Sequence, residues 1–210
     1  MQKGIAHPVK DQPAAKGGKV ATIAWVVAAV YFFYQYALRS SPSVMIPQLS
    51  EAFGMSAFGV ASIVGIFYYG YSVFSLVAGA AMDAFGPRKF LPITALLVGV
   101  GAALFAIGNS QVAGVGRLLQ GAGGAFAPVG AIYIAVKYFP SSQAATLIGA
   151  TQMFGMAGGA AGLFAVGPMM AAGLHWGSLL GCHRHLWFAD GRPALLPFTE
   201  NKKRKSPTTG

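Results

Sequence analysis

Long uncharged apolar runs, rather than the short alternations of a soluble domain, organise this chain. No formal charge falls between Val20 and Leu38, and the apolar run resumes beyond Arg39 with Val44, Met45 and Ile46. A helix needs about 20 mostly apolar residues to cross the hydrocarbon core of a bilayer. Residues 23–49 therefore read as a long, tilted first span, with Pro42 and Pro47 as the places where it would bend. Residues 57–82 carry no charge and form a second span. Residues 90–108, entered through Pro92, form a third, and residues 111–136, interrupted only by Arg117, a fourth. Residues 144–170, uncharged and rich in Gly and Ala, make a fifth. The pattern predicts an all-α membrane protein: a helical bundle at 20–170 between a polar segment at 1–19 and an anomalous basic tail at 171–210.

Composition strengthens that reading. Hydrophobic residues are 55% of the 210 and charged ones only 10%, against roughly 25% in ordinary globular proteins. That is too little charge to clothe a water-soluble surface, which excludes a soluble enzyme or nucleic-acid-binding domain. The net charge of +10 does not alter this, because the cations are scattered. Lys3, Lys10, Lys16 and Lys19 precede the first span, and Lys202, Lys203, Arg204 and Lys205 lie near the far end, with no continuous basic face between. The lipid bilayer, not nucleic acid, is the expected partner. A single cysteine, Cys182, permits neither an internal disulfide nor a cysteine-based metal cage. His175, His183 and His185 lack companion ligands in any metal-site spacing. No metal or cofactor is expected.

Charge in the connections sets an orientation, since Lys and Arg accumulate on the cytoplasmic side. The four amino-terminal lysines, Arg88 with Lys89, and Lys137 all fall on one side of the predicted topology. The loops at 50–56 and 108–110 carry Glu51 but no basic residue. The amino terminus is expected in the cytoplasm of a bacterial-type inner membrane, with the first span an uncleaved anchor. The tail departs from this scheme. His183, Arg184, His185, Asp190 and Arg192 fall where a sixth span would lie, and an Arg or Asp at the centre of a span costs roughly 2.5–3.5 kcal/mol. Residues 171–210 are therefore read as a sixth span lost by truncation or by a change of reading frame near His175.

Three constellations carry candidate chemistry. Between spans two and three the chain reads Gly79-Ala-Ala-Met-Asp83-Ala-Phe-Gly86-Pro87-Arg88-Lys89. A carboxylate ending one helix, a glycine turn and paired cations opening the next make a compact clasp. Gly79 would admit a close helix, Asp83 would accept hydrogen bonds from Arg88, and Gly86 would ease the reversal. In span four, Arg117 is followed on the same helical face by Gln120, with Gly121 and Gly123 behind it. Arg117 either faces a polar cavity or carbonyl-lined groove, or snorkels to water at the outer interface. In span one, Arg39 shares a face with Gln35 and Tyr36. It is either a mid-membrane cation for an anionic solute or an interfacial Arg ending a shorter helix. Tyr68, Tyr69 and Tyr71 of span two are candidates to line the same cavity.

The 79–89 segment resembles the signature G-x-x-x-D-x-x-G-x-R-[KR] of the major facilitator superfamily of secondary transporters, with Ala84 where a basic residue is usual. The Arg117–Gly123 stretch is similar to that superfamily's fourth-span motif R-x-x-Q-G-x-G. The segment YALRSSPSVMIPQL resembles the first span of its organophosphate and sugar-acid branches. The resemblance implies one six-helix half of a twelve-helix transporter. A small anionic solute would be held by Arg39, with Gln35, Tyr36, Tyr68 and Tyr71 as companions. Gly79, Asp83, Gly86, Arg88 and Lys89 would form a gating motif, and Arg117, Gln120, Gly121 and Gly123 a coupling motif. A coupling ion, H+ or Na+, and a facing half or second subunit would complete alternating access. Gly167-Pro168 is followed by Met169 and Met170 rather than paired glycines, so the resemblance gives antiport no support. A transporter-like receptor that binds solute without flux is the alternative. A membrane-embedded enzyme is not expected, since the spans lack an intramembrane acid, histidine cluster or nucleophile–base pair.

Overall fold

The computed structural model describes residues 18–171, together with the backbone of a two-rung antiparallel pairing of Phe188–Ala189 with Arg192–Pro193. The readings of residues 1–17 and of most of 171–210 lie outside the described residues. Apart from that short pairing, the regular structure described is helical: α1 (Lys19–Ser40), α2 (Ile46–Phe53), α3 (Ala57–Phe85), α4 (Pro87–Phe105), α5 (Ser110–Gly124), α6 (Phe126–Tyr138) and α7 (Ser141–Ala171). Five segments are long and apolar enough to cross a membrane: Lys19–Val44, Ala57–Phe85, Pro87–Phe105, Ser110–Tyr138 and Ser141–Val166. The molecule is an all-α bundle of the expected span number.

Two spans differ from the continuous helices expected. The first is not one bent helix to residue 49. α1 stops at Ser40, a 3₁₀ turn occupies Ser41–Val44, and α2 begins at Ile46. Pro42 and Pro47 each stand in the first turn of the element they open. Proline lacks the N–H a continuing helix needs, so the α-helical bonding is interrupted and the chain restarts. Ser41 closes the end of α1 by donating its hydroxyl to the Ala37 carbonyl at 2.5 Å. The fourth span breaks at Ala125 into α5 and α6. Pro128 removes the N–H that would have bonded the Gly124 carbonyl. Each still counts as one segment long and apolar enough to cross, Lys19–Val44 and Ser110–Tyr138.

α3 and α4 pack along α5, while α1 packs along α7 and α6. In lipid there is no hydrophobic drive between helices, so adhesion rests on close backbone approach. A Cβ at Gly121 would strike the Phe67 carbonyl of α3, and one at Gly158 the Phe33 carbonyl of α1. A Cβ at Gly101 would lie 2.6 Å from the Gly116 carbonyl oxygen. The glycines of α5 and α7 are thus the seams along which the bundle closes. Large apolar side chains such as Leu76 and Ile93 point outward, as suits a lipid-facing surface.

Candidate functional site

The arginine of the first span lies at the end of α1, but not at the end of the bundle. Its guanidinium carbon is 4.8 Å from the ring centre of Tyr36, 5.7 Å from Phe67, 4.9 Å from Tyr68 and 5.6 Å from Tyr71. Tyr71 is the central residue of the 29-residue α3, so Arg39 reaches the mid-level of that span. α1 does stop one residue later, at Ser40. The chain then continues through the 3₁₀ turn, and the segment long enough to cross a membrane extends to Val44. Arg39 is half-buried, and no carboxylate pairs with it among the described residues. Ring faces attract a guanidinium without occupying the N–H groups in its plane.

Gln35 does not join this group. Its side chain is 1% exposed and packed against Gly124, and neither its amide nitrogen nor its oxygen has a hydrogen-bond partner. Sequence spacing alone could not separate it from Tyr36, since residues three and four positions before Arg39 share one broad helix face. Tyr69 is 73% exposed and contributes none of the four rings around Arg39. Phe67 is the residue that sequence reasoning missed. It is buried, stacks on Tyr71 with centroids 5.8 Å apart, and also lies 5.0 Å from the guanidinium of Arg117. Its position one turn before Tyr71 was the available signal.

Arg117 is central in α5 and 1% exposed. Its Nη1 donates to Gln120 Oε1 at 2.7 Å and to the Leu38 carbonyl at 3.4 Å. Nε and Nη2 both donate to the Val64 carbonyl at 3.4 Å. The guanidinium thus occupies a carbonyl-lined groove between α1, α3 and α5, and does not snorkel outward. Gly121 lets α3 close on this groove, while Gly123 brings α5 against α4. A Cβ at Gly121 would meet Phe67 backbone, and one at Gly123 would stand 2.6 Å from the Thr94 carbonyl oxygen. The Tyr31 hydroxyl closes the inner end by donating to the Gly123 carbonyl at 3.3 Å.

The turn between α3 and α4 is built on Gly86, whose φ of 74° is a left-handed value that side chains disfavour. Pro87 opens α4 at its first position, where its missing N–H costs nothing. Asp83, Arg88 and Lys89 are all exposed. The expected Asp83–Arg88 hydrogen bond is not made: among the described residues no ion pair joins Asp83 to either cation. Instead Asp83 lies within electrostatic reach of Lys137 at the end of α6. The reversal at Gly86 carries Arg88 on into α4, away from the last turn of α3. Gly79 likewise differs from expectation, facing open space with no atom within 4 Å of a Cβ there.

Comparison with curated proteins found no match. The family model described as Major Facilitator Superfamily matches residues 26–181. That stretch holds the aromatic ring around Arg39, the Gly86 turn and the Arg117 groove, and the family is made of transporters rather than enzymes. These membrane-spanning helices are therefore parts of one known architecture, and the chain belongs to the major facilitator superfamily as an integral, multi-pass membrane protein.

Proposed function

We propose that this chain is the substrate-binding half of a secondary transporter for a small organic anion, with Arg39 as the anion's anchor. The carrying observation is a half-buried guanidinium at mid-span, encircled by four aromatic rings and lacking an acidic partner among the described residues. An ionised group within a membrane span is costly unless it serves a hydrated pathway. Here the planar N–H fork suits a carboxylate or phosphate, and the Tyr68 and Tyr71 rings suit the carbon body of a sugar acid or similar solute. Tyr36 backs the guanidinium from its own helix.

Alternating access would be the mode of transport, with a facing half or second subunit closing the site. The orientation reading rests on Lys19, Arg88, Lys89 and Lys137 at helix ends on one side of the topology, which supports an amino terminus in the cytoplasm, with a bacterial-type inner membrane as the proposed setting. Cation-coupled symport, by H+ or Na+, is the reading for energy coupling. α1, α4, α5, α6 and α7 contain no Asp, Glu or His, while Asp83 ends α3 and Glu51 lies in α2. The coupling ion would then be bound chiefly by groups beyond these helices, with Arg117 transmitting the change. The 79–89 turn would serve as the cytoplasmic gate.

The experiment is ligand-induced thermal stabilisation of the purified protein across a panel of sugar acids, organophosphates and neutral sugars. Anions should stabilise the parent, and Arg39→Ala should bind them about 10- to 100-fold more weakly, the worth of a charge-assisted hydrogen-bond pair. Equal stabilisation of parent and Arg39→Ala would remove Arg39 from the site. Preference for neutral sugars would remove the anion.

A further inference from the structure

A cavity lies at the opposite end of α1 from Arg39. It is a crevice of about 360 Å³ between the first turns of α1, the first turns of α4 and the last turn of α6. Val20, Ala21, Ala24, Leu91, Pro92 and Ile134 give it apolar walls, and Gly18, Pro87, Arg88 and Tyr138 complete the lining. The lining runs from Gly18 to Ala24 at the start of α1, from Pro87 to Pro92 in α4 and from Ile134 to Tyr138 in α6. At 1.5 Å per residue it extends roughly 6–9 Å from the helix ends, room for the upper part of an acyl chain.

Arg88 puts a cation in the lining itself, and each helix end carries a lysine next in sequence to a lining residue. Lys19 follows Gly18, Lys89 follows Arg88, and Lys137 precedes Tyr138 and donates to the Tyr133 hydroxyl. Against Lys19, Arg88, Lys89 and Lys137, the described residues set one carboxylate at this end, Asp83. Neither α1 nor α4 has a side chain capping its first turn, so backbone N–H groups there remain open to an oxygen ligand. A soluble anion would find few polar atoms in the walls, and a neutral lipid would leave the cations unanswered. An apolar slot under a basic rim at the interface is the arrangement that holds an anionic lipid headgroup.

We propose that this crevice seats one anionic phospholipid, its upper acyl chain between α1 and α4 and its phosphate against Arg88 and Lys19. The lipid would tie together two helices that touch only sparsely. The site does not depend on the solute reading, because it shares no residue with the ring around Arg39.

The test uses the full chain, delipidated in a neutral detergent and titrated with dioleoylphosphatidylglycerol. Dioleoylphosphatidylcholine, glycerol phosphate and inorganic phosphate serve as separate arms, read by native mass spectrometry and by melting temperature. One phosphatidylglycerol should remain bound and raise the melting temperature. Replacing Lys19→Gln and Arg88→Gln together should weaken it about 30-fold, at the usual worth of two basic residues beside an anionic surface. Ala24→Trp, which fills the slot, should weaken it as strongly, whereas Leu76→Trp on the outer face of α3 should leave it as in the parent. Equal binding of phosphatidylcholine would overturn the proposal, as would equal stabilisation by free phosphate or unchanged binding in both sets of variants. Binding that emerges only after deletion of residues 1–17 would also overturn it, by showing that the chain's own amino terminus fills the slot.

Discussion

Arg39 and Arg117 both approach one aromatic ring, yet the bundle treats them in opposite ways. Their guanidinium carbons lie 5.7 Å and 5.0 Å from the centre of Phe67, near enough for the two cations to repel each other. Arg117 is 1% exposed, and its N–H groups are met by the carbonyls of Leu38 and Val64 and by Gln120. Arg39 is half-buried and held mainly by ring faces. A cation whose donors are consumed by the fold acts as a strut between helices. One steadied by π-faces keeps its donors for something that arrives. The residue type is the same; the acceptors around it decide what it does.

The sharpest way to break this contrast is to remove the strut. Arg117→Ala should destabilise the protein by about 2–4 kcal/mol, through the void it leaves and the orphaned Gln120 oxygen. Arg117→Lys should recover only part, because a single ammonium cannot span acceptors on three helices. Thermal melts in detergent measure both. Arg39→Ala, by contrast, should shift the unliganded melt by under about 1 kcal/mol, since it breaks few bonds within the fold. Its loss should fall on anion binding. If Arg39→Ala melts as early as Arg117→Ala, the two residues are both struts and the distinction fails.

Phe67 comes next, because it serves both sides. Phe67→Leu keeps the apolar volume while removing the quadrupole, so each guanidinium should lose roughly 0.5–1 kcal/mol of attraction. The expected result is a small drop in melting temperature together with about 2- to 5-fold weaker anion binding. A change in one without the other would show that the ring serves only one arginine.

How much of this was readable beforehand follows from what each kind of pattern reports. Charge-free runs located all five crossings, because the cost of ionised groups in hydrocarbon acts on composition alone. They could not locate the end of α1 at Ser40 or the break at Ala125, since Val44, Met45 and Ile46 remain apolar and hydropathy is blind to a missing backbone N–H. Helical spacing put Tyr36 beside Arg39 correctly, but gave Gln35 the same address. Only the approach of α5 at Gly124 separates them. The motif around Asp83 suggested a pairing with Arg88 that the Gly86 turn does not make, because adjacency in sequence says little about direction after a reversal. Phe67 escaped notice because an apolar ring in an apolar helix looks like packing until two cations are seen beside it.

The smallest expected effect tests the side of α3 that faces the solute. Tyr68, Tyr69 and Tyr71 are near neighbours in sequence, but only Tyr68 and Tyr71 stand over Arg39. Tyr69 is 73% exposed, on the groove shared with Met55, Gly59 and Ser62. Adjacent helical residues diverge by about 100° around the axis, so Tyr69 does not share the approach of Tyr68 to Arg39, although Tyr68 is also exposed and borders the same groove. Tyr69→Ala should therefore change stability and anion affinity by no more than about 0.5 kcal/mol. Tyr68→Phe, which deletes only a hydroxyl, should weaken anion binding by about 1 kcal/mol, or roughly fivefold, the net worth of one hydrogen bond. Isothermal titration with the best-stabilising anion resolves the pair. If Tyr69→Ala costs more affinity than Tyr68→Phe, the solute approaches from the outer groove of α3, and Arg39 is bracing the helix from behind rather than meeting it.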